Sequence, residues 1–208
     1  MLASQVNQTL KTRFSMAGQD TQQIQAMLTE CYKAEVARRN MKFVDDKETR
    51  DRIARAAKWL TGQHKPGLIM YGATCGTGKT TLASAITNLI NILYDTPYSV
   101  QRKKVYRTTA MDLIKTYADN PAHYRNLVSN ELLFIDDLGS EPTSVKIYGN
   151  ECSPVTELLY ARYDHMGWTL ITSNLTDEQI KQRYGVRIDD RLSEMAERMY
   201  FKGTSYRK

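Results

Sequence analysis

The chain has 208 residues, with 29 Lys and Arg against 23 Asp and Glu, a net charge of +6 and 41% hydrophobic residues. That length supports one substantial core with a small appendage, not several independent domains, and the hydrophobic share argues against wholesale disorder. No apolar run approaches a membrane span, the first residues lack a signal-peptide stretch, and the scattered Cys31, Cys75 and Cys152 show no metal spacing, so the expected location is a reducing cytoplasm.

Residues 1–20 are polar and read as loosely ordered. From Thr21, a plausible N-cap, Ile24, Met27, Leu28 and Cys31 recur at helical spacing. A second helix over 46–61 aligns Ile53, Ala56, Ala57 and Leu60. After Gly62 and Pro66 the texture changes. Residues 67–71 form a short apolar run that reads as a buried strand, 72–78 a glycine-rich turn, and then a long helix carries Leu82, Ala85, Ile86, Leu89, Ile90 and Leu93 on one face. The pattern continues as strand 105–108, helix 110–117, strand 132–135 and an aperiodic stretch over 139–153. Helix 154–164 opens with Ser153 and Pro154, and strand 168–172 follows. Thr176 and Gln179 make a capping box, Gly185 ends that helix, and a last helix fits 187–199. Alternating strands and helices predict an α/β fold, a parallel sheet flanked by helices.

The strongest motif lies between the strand at 67–71 and its following helix. Gly76, Thr77, Gly78, Lys79 and Thr80 form a phosphate-binding loop, with Thr81 next in line. Glycines let backbone N–H groups face an anion, and the helix N-terminus adds its dipole. Lys79 reaches the terminal phosphates and the Thr80 hydroxyl ligates Mg²⁺, so the expected cofactors are ATP and Mg²⁺. The first glycine of the usual pattern is replaced by Ala73, with Gly72 one residue early.

The strand 132–135 runs into Asp136 and Asp137. Carboxylates at the carboxyl edge of a parallel sheet sit where ligands bind. Asp136 is expected to hold Mg²⁺ and Asp137 to orient the attacking water. Asp is one methylene shorter than the Glu common at such positions, so slow hydrolysis is expected. Another strand ends in Thr172, Ser173 and Asn174. Asn174 either senses the γ-phosphate or caps the strand. Arg187 and Arg191 are four residues apart and share a helix side. They either contact phosphates or pair with nearby acids.

These pieces, GTGKTTLA at 76–83, LLFIDDLG at 132–139, LITSNL at 170–175, YGVRIDDRLSEM at 184–195 and FKGTSYR at 201–207, resemble in this order the AAA+ ATPases, and within them the DnaC-type replicative helicase loaders. The resemblance covers roughly residues 60–208, and the IstB-type transposition helper ATPases share nearly the same core. It implies a P-loop NTPase domain at 61–208 of AAA+ type, with Asn174 as first sensor, Arg187 as trans-acting arginine finger and Arg191 as second sensor. It also implies a homo-oligomer when ATP-bound, with single-stranded DNA and a replicative DNA helicase as partners. A transposase replaces the helicase in the transposition-helper alternative. Residues 1–60, a short helical extension, either grip the partner or pack on the ATPase core. A small-molecule P-loop kinase is a third and weaker reading, because Asn174 and the terminal arginine block are not expected there.

Arg102, Lys103, Lys104, Tyr106 and Arg107 combine positive charge with a stacking ring, the chemistry of single-strand binding; the bland alternative is a basic edge strand. Lys146 and Tyr148 are the contact residues expected in the aperiodic stretch. The charge is unevenly spread: residues 1–60 carry +4, 61–178 carry −2 and 179–208 carry +4. The basic ends suit phosphate backbones or an acidic protein surface.

Overall fold

The structure is a computed structural model that describes residues 14–62, 65–98, 102–147, 149–203 and 205–206. Its centre is a parallel sheet of five strands: β1 (Gly67–Tyr71), β2 (Val105–Thr109), β3 (Leu132–Leu138), β6 (Trp168–Ser173) and β7 (Ala196–Tyr200). They lie in the order β2-β3-β6-β1-β7. Strands in such a sheet are covered on both faces, so they read as unbroken apolar runs. In β1 every residue is buried, and in β6 likewise.

Successive side chains point to opposite faces, which divides the core in two. Leu68, Met70, Leu132, Phe134, Leu170 and Met199 face α3 (Lys79–Tyr94). Two N-terminal helices, α1 (Thr21–Arg38) and α2 (Lys47–Thr61), complete that layer. Ile24, Leu28, Ile53, Ala57, Trp59 and Leu60 are buried in the same cluster as the sheet. On the other face, Ile69, Leu133, Ile135 and Ile171 meet α4 (Ala110–Asp119), α5 (Pro121–Ser129), α6 (Pro154–Asp164), α7 (Asp177–Tyr184) and α8 (Val186–Met195).

Most boundaries follow local chemistry. Asp20 caps α1 through the Gln22 N–H, one residue before the expected cap, and Asp46 caps α2 through Thr49. The Thr176 and Gln179 box at α7 is present as expected.

Three stretches differ from the sequence reading. The expected helix over 187–199 stops at Met195, and residues 196–200 turn into the edge strand β7. Ile188, Leu192 and Met195 do share a face, but Met199 lies on the opposite side of the sheet. The strand pairs with β1 and packs closely on it: a Cβ on Gly67 would come within 2.7 Å of the Ala196 methyl. Helix α5 was not anticipated. Asn120 ends α4 and also caps α5, with Pro121 in its first turn, so one Asn-Pro pair both stops and starts a helix. The aperiodic stretch contains a short antiparallel hairpin, β4 (Val145–Ile147) and β5 (Asn150–Cys152).

A buried arginine ties the second layer to the sheet. Arg162 of α6 is 2% exposed. Its guanidinium donates to the carbonyls of Val128, Asn130, Glu131 and Trp168 and to the Thr169 hydroxyl. Burial lowers its pKa to about 10.

Candidate functional site

Strands β1, β3 and β6 end side by side, and their carboxyl ends carry the polar residues singled out above. Residues 72–78 leave β1 and curl back to the N-terminus of α3. Gly78, at φ +94°, is the cap residue of that helix, and a Cβ there would lie 2.7 Å from the Tyr32 hydroxyl. The turn out of the strand is made by Gly72, at φ +145°, where a Cβ would meet the Phe201 carbonyl at 2.6 Å. Ala73 has no positive φ, so the backbone does not require glycine there. The glycine needed at the strand end simply stands one residue earlier.

Lys79 is 6% exposed and donates through Nζ to the carbonyls of Gly72 at 2.8 Å and Thr74 at 2.9 Å. Burial pushes its pKa down, against the opposing fields of Cys75 and Asp137. An ammonium held by two loop carbonyls is aimed into the cradle it would serve.

Asp136 is 3% exposed. Its Oδ1 accepts from the Thr80 hydroxyl at 3.1 Å and the Thr172 hydroxyl at 2.5 Å. Its Oδ2 accepts from the Arg107 guanidinium at 2.5 Å. Among the described residues no cluster of three His, Cys, Asp or Glu could hold a metal. One hydroxyl and one carboxylate at hydrogen-bond distance do suit Mg²⁺, which takes few protein oxygens and completes its shell with water and substrate phosphates. Thr80 and Asp136 therefore fit that ion. Asp137 is exposed, at φ +54°, and its N–H donates to the same Thr172 hydroxyl. The twist turns its side chain away from that of Asp136 into the cleft.

One cleft is lined by Gly76, Thr77, Gly78, Lys79, Thr80, Thr81, Asp137 and Asn174. These expected residues, with Asp136 beneath Thr80, come together. The cleft also has a wall that motif reading missed: Tyr32, Val36, Arg39, Met41, Lys42, Val44 and Tyr206. Arg39 donates to the Thr81 hydroxyl at 3.0 Å. Arg52 donates to the Thr77 carbonyl at 3.1 Å. Tyr206 donates its N–H to the Gly76 carbonyl and its hydroxyl to Asp46, joining the C-terminal segment to the N-terminal helices across the loop. Only Tyr206 carried a signal, as part of the quoted terminal block.

Other expected residues lie elsewhere. Arg187 is exposed in the first turn of α8, beside the exposed Val186. Arg191 does not line the cleft. It stacks 4.6 Å from the ring centre of Tyr160 and 4.7 Å from that of Tyr163, and its guanidinium is 3.7 Å from Asp164. Arg102, Lys103 and Lys104 surround the start of β2 with Asp95 and Glu131 as acidic neighbours. Tyr106 is exposed beside Lys104, with the ammonium 5.9 Å from its ring. Arg107 is separated from that group, its guanidinium turned to Asp136. Lys146 is exposed on β4, and Tyr148 lies outside the described residues.

Among solved structures, a crystal structure of the DnaC helicase loader is 19% identical, covering 77% of this chain and 94% of its own, at a TM-score of 0.60. A crystal structure of DnaI is 20% identical, covering 86% of this chain and 93% of its own, at 0.59. The replication initiator DnaA bound to AMPPCP and single-stranded DNA is 14% identical, covering 79% of this chain and 49% of its own, at 0.52. No family model matches the chain, and no curated protein matches it in sequence. The fold, a five-stranded parallel sheet with helices on both faces and the glycine-rich loop after β1, is the one seen in the crystal structures of the DnaC helicase loader and DnaI.

Proposed function

We propose that the protein is an ATP-binding AAA+ switch that hydrolyses slowly and loads a replicative helicase onto single-stranded DNA. The observation that carries this reading is the convergence of Lys79, Thr80, Asp136, Asp137 and Asn174 at one sheet edge, on a fold shared with a helicase loader. Backbone N–H groups of residues 76–81 and the α3 dipole hold the phosphates. Lys79 neutralises the terminal ones, and Thr80 and Asp136 hold Mg²⁺. The bound ion supplies charge stabilisation for the transferred phosphoryl group. Asp137 and Asn174 position water at the far end. Asp137 is a short base, and this supports a slow basal rate.

Arg187 suits a neighbour's site: it is exposed, it flanks the apolar Val186, and it lies outside its own cleft. Arg191, clamped on Tyr160 and Tyr163, orients α8 and with it Arg187. Residues 1–60 offer the outer faces of α1 and α2 to the helicase. Arg102, Lys103, Lys104 and Tyr106, with Lys146 on the hairpin, are the surface offered to single-stranded DNA.

The test is ATPase activity against protein concentration, with and without single-stranded DNA, for the parent and Arg187→Ala. A trans-acting arginine gives specific activity that rises with concentration, is lost in the variant, and is partly restored by mixing it with Lys79→Ala protein. Basal turnover on the order of tens per second without a partner contradicts the switch. Capture of a helicase by the intact chain supports loading. Capture of a transposase would replace that reading with target-DNA preparation for transposition.

A further inference from the structure

A buried carboxylate is costly unless a positive charge answers it. Asp136 has such an answer within the chain: Arg107, reaching across from the edge strand β2. The register explains the reach. Arg107 pairs with Phe134 on the adjacent strand, two residues before Asp136, so both side chains emerge on the α3 face. The Phe134 ring lies under the guanidinium, 5.1 Å from its centre. The other guanidinium nitrogen donates only a long contact, 3.5 Å, to Ser84 Oγ. The arginine side chain is 42% exposed, whereas that of Asp136 is 5% exposed. One partner is buried in the sheet; the other is exposed to solvent on the edge strand.

The carboxylate that Arg107 neutralises is the one that, with Thr80, fits a divalent cation. A guanidinium and a divalent ion on the same carboxylate repel each other, because both lie within a few ångströms in a poorly screened site. We propose that Arg107 is the resident counter-cation of Asp136. It neutralises the metal-binding carboxylate while the cleft is empty and withdraws from it as metal and nucleotide bind. The inference rests on the P-loop reading above. It makes the metal site a two-position site for positive charge, with one position supplied by the chain itself. It also ties β2, which carries Arg102, Lys103, Lys104 and Tyr106, to the state of the cleft, since the same strand delivers Arg107.

The experiment compares the parent, Arg107→Gln and Arg107→Lys in the full chain. Mn²⁺ binding is followed by electron paramagnetic resonance, ADP binding by fluorescence at increasing Mg²⁺, and melting temperature in chelator and in saturating Mg²⁺. In Arg107→Gln, Mn²⁺ is expected to bind about tenfold tighter. The Mg²⁺ concentration needed for half-maximal ADP affinity is expected to fall by a similar factor. The melting temperature should drop in chelator and recover in Mg²⁺, while Arg107→Lys, which keeps the charge, stays near the parent. Unchanged or weaker Mn²⁺ binding in Arg107→Gln overturns the inference and makes the arginine a fixed clamp on β2. If the parent binds no nucleotide at any Mg²⁺ concentration, the P-loop reading itself fails, a distinct result.

Discussion

The two ends of the cleft are built in different ways. The end holding Lys79, Thr80, Asp136, Asp137 and Asn174 is made from the termini of three adjacent parallel strands and the loop that follows one of them. Each residue there is placed by a few neighbours in sequence and by the register of the sheet. The other end is assembled from Tyr32, Arg39, Met41 and Val44 at the end of α1 and just beyond it, and from Tyr206 at the far end of the chain. Their meeting depends on how α1 packs on α3 and on how the C-terminal segment is tied to α2. In the proposed reading the first end takes the phosphates. The second has apolar and aromatic surface with two cations, Arg39 and Lys42, and in that reading it takes the nucleoside and its nearest phosphate.

The contrast can be tested from the strongest effect downward. Lys79→Ala should abolish measurable nucleotide binding, a loss of at least about a hundredfold, because the cradle then has no cation for the terminal phosphates. Titration with a fluorescent ATP analogue checks it, and retained affinity would remove Lys79 from the phosphate end. Arg162→Met should lower unfolding stability by about 3 kcal/mol, since several carbonyls lose their donor in a buried place. Nucleotide affinity below the melting range should stay unchanged, as denaturant titration and binding at low temperature will show.

Arg39→Ala should weaken ATP and ADP alike, by about tenfold, as expected for one charge-assisted contact near the inner phosphate. A larger loss for ATP than for ADP would move Arg39 to the other end of the cleft and break the comparison. Asp137→Glu should raise basal hydrolysis several-fold at unchanged ATP affinity, by restoring reach toward water. The smallest effect concerns pH. The pKa of Lys79 is lowered by burial, so phosphate affinity is full while the ammonium is protonated and is lost as pH rises. That loss should begin at lower pH than for an exposed lysine, in nucleotide titrations carried out toward alkaline pH.

The same contrast explains what the sequence could reveal. The α/β alternation, the loop at 76–80 and the acidic strand end were legible because each is a local pattern of period, turn chemistry and apolar run. The Asn174 position followed from the same logic. Helix α5 was missed because Asn120-Pro121 reads equally well as an ending. Strand β7 was missed because Met195 and Met199 keep a helical interval, while the partner that residues 196–200 pair with, β1, lies far away in sequence. Arg107 looked like part of a basic run. Only the strand register turns it toward Asp136. Arg39 and Lys42 lie between the two expected N-terminal helices, and nothing in their spacing marks them as facing a loop some forty residues later.

Helices α1 and α2 share their core with the sheet, and this decides how the N-terminal region can be studied. Helix α1 covers α3, the helix that begins at Lys79, and α2 packs on α1 and, through Trp59 against Trp168, on the sheet. Cutting the chain at the apparent boundary near residue 60 would strip apolar surface from the back of the phosphate loop and remove Arg39 and Arg52 from it. The region is no detachable handle. Substitutions confined to its solvent side, such as at Met27 or Lys33, can separate loss of a partner from loss of the fold, whereas a truncation would report both at once.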